Sequence, residues 1–252
     1  MGRIKKYIIS ILIMLIFLVA IVYMYLDFSH LFGLIEDSYP SSLIKRLDVF
    51  MIAVIVAISG KDRLSKKDSV LLKITFIAIC CAEISFVLHN FFEGIAFFFI
   101  AQVLLILRNG QGLKQKLTVI DKTSKLKLIG CGIAILAIYI LIFTFAFYPI
   151  LELSPLLLAF MFYVLFMVYA LALSMSLWVG MANYLLGLFP KKNSLMVCIG
   201  MICFFISDFL VGFTILTNSD EFVYKLAYSF IWPLYMPAIL LLALSGYKYN
   251  EL

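Results

Sequence analysis

Residues 194–216 read SLMVCIGMICFFISDFLVGFTIL, an apolar run of 23 residues in which Asp208 is the one charged side chain. A helix of this length rises roughly 34 Å, and the hydrocarbon core of a bilayer is about 30 Å thick. Lipid offers the backbone no hydrogen-bond partner, so such a run satisfies its peptide groups in a membrane by forming a helix. The run therefore predicts a transmembrane helix.

Comparable apolar runs recur along nearly the whole chain of 252 residues. They lie at about 7–26, 43–59, 70–88, 92–107, 128–148, 155–188, 194–216 and 225–246. Only 13% of the residues are charged, whereas a soluble domain has roughly 25%. We therefore predict an all-α fold, a polytopic transmembrane bundle of about eight helices that forms a single domain over 1–252.

Four of these runs have an ambiguous pattern. His89 and Glu93 interrupt the apolar pattern between the third and fourth runs, which predicts two helices joined by a tight hairpin. The sixth run has about 34 residues but no turn signal besides Gly180, so one long helix is more plausible than two. In the eighth run, Pro233 and Pro237 hint at a broken helix, a feature common in transporters.

The basic residues divide unevenly between the two sides of the predicted bundle. With eight spans and the N-terminus inside, all of the 20 Lys and Arg residues except Lys45, Arg46 and Lys225 fall on the cytoplasmic side. The positive-inside rule then predicts that both termini are cytoplasmic, and we expect a bacterial plasma membrane. The net charge of +6 indicates this topology and an attraction to anionic lipid headgroups rather than nucleic-acid binding.

The sequence contains few potential metal ligands and no recognisable nucleotide-binding motif. There are two histidines, His30 and His89, and all five cysteines lie inside predicted spans, so neither a zinc site nor a disulfide framework is expected. The chain lacks a Walker loop, a dinucleotide fingerprint and a Gly-x-Ser-x-Gly elbow. We therefore expect no cofactor, and the sequence disfavours ATP-driven and serine-hydrolase chemistry.

Three acids inside the predicted spans call for an explanation: Asp48, Glu83 and Asp208. An ionisable side chain at such a depth costs roughly 2.5–3.5 kcal/mol on insertion scales and normally faces the protein interior or a wet cavity. Counting inward from the outer helix ends at about 1.5 Å per residue gives all three a depth of roughly 8–12 Å. They are predicted to share one level in the outer half of the bundle.

Other polar side chains are predicted near the same level, which indicates a buried polar cleft. Gln102, Tyr163 and Tyr235 belong to this set, and Lys45 and Arg46 lie just above it. Some members have equally plausible structural roles. Asp48 could form a helix-end ion pair with Lys45 or Arg46. Gln102 could form a hydrogen bond between two helices, and the aromatic residues could pack against neighbouring helices.

Glu83 and Asp208 favour a functional interpretation, since neither has a basic residue within a helical turn. Here the chain resembles the YhhN family, which includes the mammalian lysoplasmalogenases. Residues 204–210, FFISDFL, look like the Ser-Asp motif on the family's seventh helix. Residues 81–85, CAEIS, followed by Gly94 and Gln102, are similar to its Gly-Asp motif and the helix after it. Tyr169 and Met175 lie where the family tends to place Tyr and Met.

The chain departs from the family pattern at several motif positions. Ala82-Glu83 replaces Gly-Asp, Gln102 replaces a His, and Lys45-Arg46 replaces Lys-Pro. We therefore describe the chain as similar to a divergent member of that family.

The resemblance implies hydrolysis of the vinyl ether bond of a lysoplasmalogen or a related ether lysolipid. It implies that Glu83 and Asp208 are the catalytic pair and that Lys45 or Arg46 holds the substrate phosphate. The remaining substrate contacts would be Asp48, Gln102, Tyr163, Tyr169 and Tyr235. The alternatives are a non-catalytic lipid-binding protein, a transporter that uses the same cavity and, third, a structural membrane subunit; the oligomeric state is left open.

Overall fold

The computed structural model describes residues 3–35, 39–142, 144, 157–216 and 222–249. Within these ranges the chain is helical, and the one β-type contact is an isolated antiparallel bridge between Arg63 and Tyr247. The helices are α1 Arg3–Leu31, α2 Tyr39–Ala57, α3 Lys66–Val87, α4 Phe91–Asn109, α5 Leu113–Thr118, α6 Lys122–Ile142, α7 Leu157–Leu186, α8 Lys191–Leu216 and α9 Phe222–Leu244. The predicted all-α class is confirmed.

Seven of the described helices, all except α2 and α5, are long and apolar enough to cross a membrane. The chain is therefore an integral membrane protein with several crossings. Helix α2 has 19 residues but includes Lys45 and Asp48, which are both fully buried, while its apolar Leu47 and Val54 are exposed. This pattern, polar inward and apolar outward, is what lipid demands of a spanning helix, so α2, which corresponds to the second predicted run at 43–59, has the burial pattern of a further span.

The structure settles three places where the sequence pattern was ambiguous: it agrees with the prediction in two of them and differs in the third. Helices α3 and α4 form a tight hairpin, and His89 in the turn has a φ of 59°. The sixth run forms one helix, α7, of 30 residues. Helix α9 is continuous through Pro233 and Pro237, so the break that hinted at a transporter is not found in α9.

The start of α1 and the end of α9 lie at the same end of the bundle. Lys5 Nζ is 2.7 Å from Asp62 Oδ2, after α2, and Asn193 Nδ2, at the start of α8, donates to the Tyr247 carbonyl at 2.6 Å. We call the end that contains Lys5, Asp62, Asn193 and Tyr247 the basic end, because most predicted cytoplasmic lysines flank it. Two termini at one end fit an even number of crossings.

Helix α9 is the central element of the bundle, since 61% of its most apolar segment is buried. It packs on α1, α2 and α8, whereas α6 packs on α7 at the periphery. Gly200 allows α8 to approach α9 closely: a Cβ there would lie 3.1 Å from the Ala238 carbonyl oxygen. Small residues at such contacts are typical of helix packing in membranes. The central position of α9 brings Tyr235 and Trp232 among the buried acids.

Candidate functional site

Glu83 is buried near the end of α3 and has a cationic neighbour from another helix. The Nε atom of Arg46, on α2, lies 3.6 Å from Glu83 Oε2. No basic residue lies within a helical turn of Glu83 on α3 itself, and its counter-ion comes instead from the neighbouring helix α2. Tyr235, on α9, is a polar neighbour of Glu83, and its buried hydroxyl has no hydrogen-bond partner among the described residues. Three helices therefore supply this half of the site.

Asp208, on α8, has a different set of partners. The hydroxyl of Tyr169, on α7, donates a hydrogen bond to Asp208 Oδ2, and Tyr169 also interacts with the Gln102 side chain on α4. Gln102 is fully buried. The Asp208 carboxyl feels the charge of Glu83. The structure therefore brings five predicted site residues together: Glu83, Gln102, Tyr169, Asp208 and Tyr235.

An aromatic wall surrounds this group of carboxyl, amide and phenol side chains. The ring centroid of Tyr235 lies 5.5 Å from that of Phe204, 6.1 Å from that of Phe98 and 5.2 Å from that of Trp232, all in edge-on contacts. Edge-on aromatic pairs are favourable beyond the area they bury. These contacts fix the Tyr235 hydroxyl beside Glu83 and shield the carboxyl from lipid.

A second polar cluster lies on the far side of Trp232. Lys45 Nζ is 2.6 Å from Asp27 Oδ2, with both side chains fully buried, and Ser41 Oγ donates to Asp27 Oδ1 at 2.7 Å. The Lys45 ammonium also lies 4.6 Å from the centroid of the Tyr228 ring. A substrate phosphate would have to displace Asp27 to reach Lys45, so the predicted headgroup role suits Arg46 better. The side chain of Arg46 keeps 18% of its surface exposed.

Asp48 does not form the ion pair that was considered for it. Lys45 pairs with Asp27 and Arg46 with Glu83. Both Asp48 carboxylate oxygens are buried without a hydrogen-bond partner among the described residues. Tyr23 is a polar neighbour, and its ring contacts Trp232 at 6.1 Å between centroids. Trp232 therefore connects the surroundings of Asp48 to those of Glu83.

Two further predictions from the sequence concern Tyr163 and a metal site. Tyr163 belongs to α7, but its side chain lies outside the described residues. In the described ranges, no three His, Cys, Asp or Glu side chains are placed to hold a metal ion.

The sequence identified the acids and several polar partners but missed Asp27. The first predicted run ends at residue 26, whereas Asp27 is 1% exposed inside α1. For Arg46 the sequence predicted a phosphate contact or an ion pair with Asp48, and the structure pairs it with Glu83. Both Asp27 and Arg46 belong to ion pairs between helices, which no local spacing reveals.

The two carboxyl groups have distinct chemical settings. Glu83 has a guanidinium and a phenol as neighbours, and Asp208 accepts a hydrogen bond from a phenol. Such a pair is suited to proton transfer, because one group can hold a negative charge while the other carries a proton. No family model, no curated protein and no solved structure matches this chain.

Proposed function

We propose that this protein is a divergent relative of the YhhN family, a membrane-embedded hydrolase that cleaves the vinyl ether bond of a lysoplasmalogen or a related ether lysolipid. The observation that carries the proposal is the position of two carboxyl groups inside a membrane bundle: Glu83 is buried on α3 beside Arg46, and Asp208 on α8 is half-buried and held by Tyr169, within electrostatic range of Glu83. Acids inside a membrane bundle lower its stability, and for that reason they are rare and usually have a function. The family motifs add the substrate class.

The reaction suits two carboxyl groups. A carboxylic acid protonates the outer carbon of the vinyl ether, and an oxocarbenium ion forms at the carbon bound to oxygen. Water adds to that carbon while a carboxylate accepts its proton. The resulting hemiacetal breaks its carbon–oxygen bond to release a fatty aldehyde and the glycerophospho-base. The balance requires one water and no oxidant.

The counter-ion suggests which carboxyl has which role. Arg46, 3.6 Å from Glu83, stabilises a negative charge there, which suits the base and the stabiliser of the oxocarbenium ion. Asp208 forms no ion pair within the described part of the chain and is held by Tyr169. We therefore assign Asp208 as the acid.

The remaining polar residues would orient the substrate. Gln102 and Tyr235 flank the two carboxyl groups, and the partly exposed Arg46 still has donors for a phosphate, since a guanidinium carries five N–H groups. Asp48, with two unpartnered oxygens, suits a hydroxyl of the glycerol backbone. Lys45 would act by holding α2 against α1.

A lysolipid panel tests the proposal. Purified protein in lipid nanodiscs is incubated with a vinyl ether lysolipid, its saturated alkyl ether analogue and an acyl lysolipid, and fatty aldehyde is measured. We expect aldehyde from the vinyl ether alone, because a saturated ether cannot be protonated at carbon. Aldehyde from none of the three, with saturable binding of any, would reject hydrolysis.

The second candidate is a non-catalytic lipid-binding protein with the same interior site. The replacement of the family's His by Gln102 and of its Gly-Asp by Ala82-Glu83 favours it. Binding without aldehyde release in the same panel would establish this alternative.

A further inference from the structure

A cavity of about 590 Å³ opens at the basic end of the bundle, on the opposite side from Glu83 and Asp208. It lies between the start of α3, the connection from α4 to α5, the connection from α7 to α8 and the tail after α9. Ligand sites typically have volumes of about 300–1,000 Å³. The cavity is therefore large enough for a small polar molecule or a lipid headgroup.

Asp68 supplies a fixed hydrogen-bond acceptor in the wall of this cavity. The residue is 1% exposed, and its Oδ1 atom accepts a hydrogen bond from Arg108 Nε at 2.8 Å. Its Oδ2 atom is buried with no hydrogen-bond partner in the described ranges. Arg108 is itself held by Ser245 Oγ at 2.9 Å and lies over the ring of Phe189, which also lines the cavity. The carboxylate is therefore immobile, with one oxygen left for a ligand.

The rim of the cavity carries positive charge, in contrast to the acceptor that Asp68 places in the wall. Lys248 lines it with an exposed side chain. Lys192 Nζ lies 4.2 Å from the ring centroid of Tyr249, another lining residue. Gln111 also lines the cavity and has a buried amide nitrogen, Nε2, without a partner. Because Asp68 and Arg108 offset each other, the two lysines leave the rim positive.

An acceptor in the wall and cations at the rim require a ligand with a hydroxyl at one end and an anion at the other. We propose that this cavity binds a phosphate ester that carries a free hydroxyl. The hydroxyl donates to Asp68 Oδ2, and the phosphate lies between Lys248 and Lys192 and accepts from Gln111 Nε2. Either a glycerol-type lipid headgroup or a soluble glycerol phosphate has this chemistry. The site is independent of the carboxyl pair and of the hydrolysis proposed for it.

Two lipids of equal charge test the hydroxyl contact. Native mass spectrometry of the full chain in detergent compares phosphatidylglycerol with phosphatidylmethanol, which lacks the free hydroxyls. We expect phosphatidylglycerol to bind about 10-fold more tightly, the effect of one hydrogen bond to a charged group. Equal affinities would overturn the proposal. Soluble glycerol 1-phosphate is the third ligand: if it displaces the lipid, the physiological source is a soluble ester, and if it does not, the source is a headgroup.

Substitutions locate the site. Lys248→Gln should weaken both anionic lipids by about 10-fold, the effect of a charge-assisted hydrogen bond, while Lys125→Gln, an exposed lysine on α6, should leave both unchanged. Asp68→Asn should bring the two lipids to equal affinity. Because Asp68→Asn also breaks the contact with Arg108, Gln111→Met serves as a second variant and should weaken both lipids without removing their discrimination. Unchanged binding in Lys248→Gln and Gln111→Met would overturn the site.

Discussion

Tyr169 is the residue that links Asp208 to Gln102, and its role depends on one hydroxyl group. Tyr169→Phe keeps the ring and removes the hydrogen bond to the proposed acid. We expect aldehyde release to fall by about 10-fold, the scale of one lost hydrogen bond at a reacting group. Steady-state turnover checks this. Tyr184→Phe, an exposed tyrosine on the same helix, is the matched control, and an equal loss in both variants would count against the role.

Lys45 and Asp27 form a fully buried ion pair whose role we assign to folding. Lys45→Met leaves the Asp27 charge buried and unpaired, which typically costs about 3–5 kcal/mol. The double variant Asp27→Asn/Lys45→Met should recover most of that free energy of unfolding, because no charge is then stranded. Denaturant unfolding in detergent micelles measures both. If Lys45→Met abolished activity while keeping full stability, Lys45 would instead belong to the catalytic or headgroup site.

Local sequence located the acids but not their partners. Glu83 and Asp208 are conspicuous because a carboxyl is rare in an apolar run. The partner of Glu83 is Arg46, 37 positions earlier in the chain, and that of Lys45 is Asp27. Such pairs depend on which helices become neighbours, and the apolar pattern of a membrane helix leaves its neighbours undetermined, because lipid and protein interiors are equally apolar.

The hairpin between α3 and α4 turns through a residue in a left-handed conformation. His89 has a φ of 59°, a conformation that costs any residue with a Cβ roughly 1–2 kcal/mol and is rarer still for a side chain branched at Cβ. His89→Val should therefore lower the free energy of unfolding further. Asn90→Val, at a neighbouring turn position with a φ of −91°, should have a smaller effect. Thermal unfolding compares the two, and equal losses would contradict the argument.

The start of α1 is attached to the connection between α2 and α3 by Lys5 and Asp62. The hydrogen bond from Lys5 holds the pKa of Asp62 below its ordinary value. A lowered pKa means that the attachment stabilises the fold above the ordinary pKa of an aspartate and is lost as the pH falls through the lowered value. After correction for the pH dependence of intrinsic exchange, the protection of amides in the first turns of α1 against hydrogen exchange should fall below about pH 4. Asp62→Asn should remove that pH dependence, and an unchanged pH profile in this variant would refute the assignment.

The positions of the long helices follow from the sequence, and the reason is physical. Each apolar run must form a helix to satisfy its backbone in lipid, so each run contains a helix, although α1 extends past its run at both ends and α6 begins at Lys122 rather than 128. Helix α2 is the informative case. It carries three charged residues, Lys45, Arg46 and Asp48, yet its exposed Leu47 and buried Asp48 show that one face is built for lipid and the other for the interior.

The charge distribution predicts how the molecule is oriented in the membrane. Both ends of the described chain meet at the basic end, which the positive-inside rule assigns to the cytoplasm. Reporter fusions after Asn250 and within 111–125 should therefore report cytoplasm, and fusions near Glu36 or Glu152 should report the opposite side. A signal from the opposite side for the fusion within 111–125 would contradict the eight-span arrangement.

The central claim is that Glu83 and Asp208 act together on one vinyl ether bond, and aldehyde release by the purified protein in nanodiscs tests it most directly. Glu83→Gln and Asp208→Asn should each lower turnover by at least about 100-fold, with the double variant little worse than either, because groups that act as a unit are not additive. Thermal unfolding confirms that each variant is folded; Glu83→Gln should lose less than the roughly 3–5 kcal/mol of a fully buried pair, because Arg46 is partly exposed. Wild-type turnover that persisted undiminished in both single variants would contradict the carboxyl-pair mechanism.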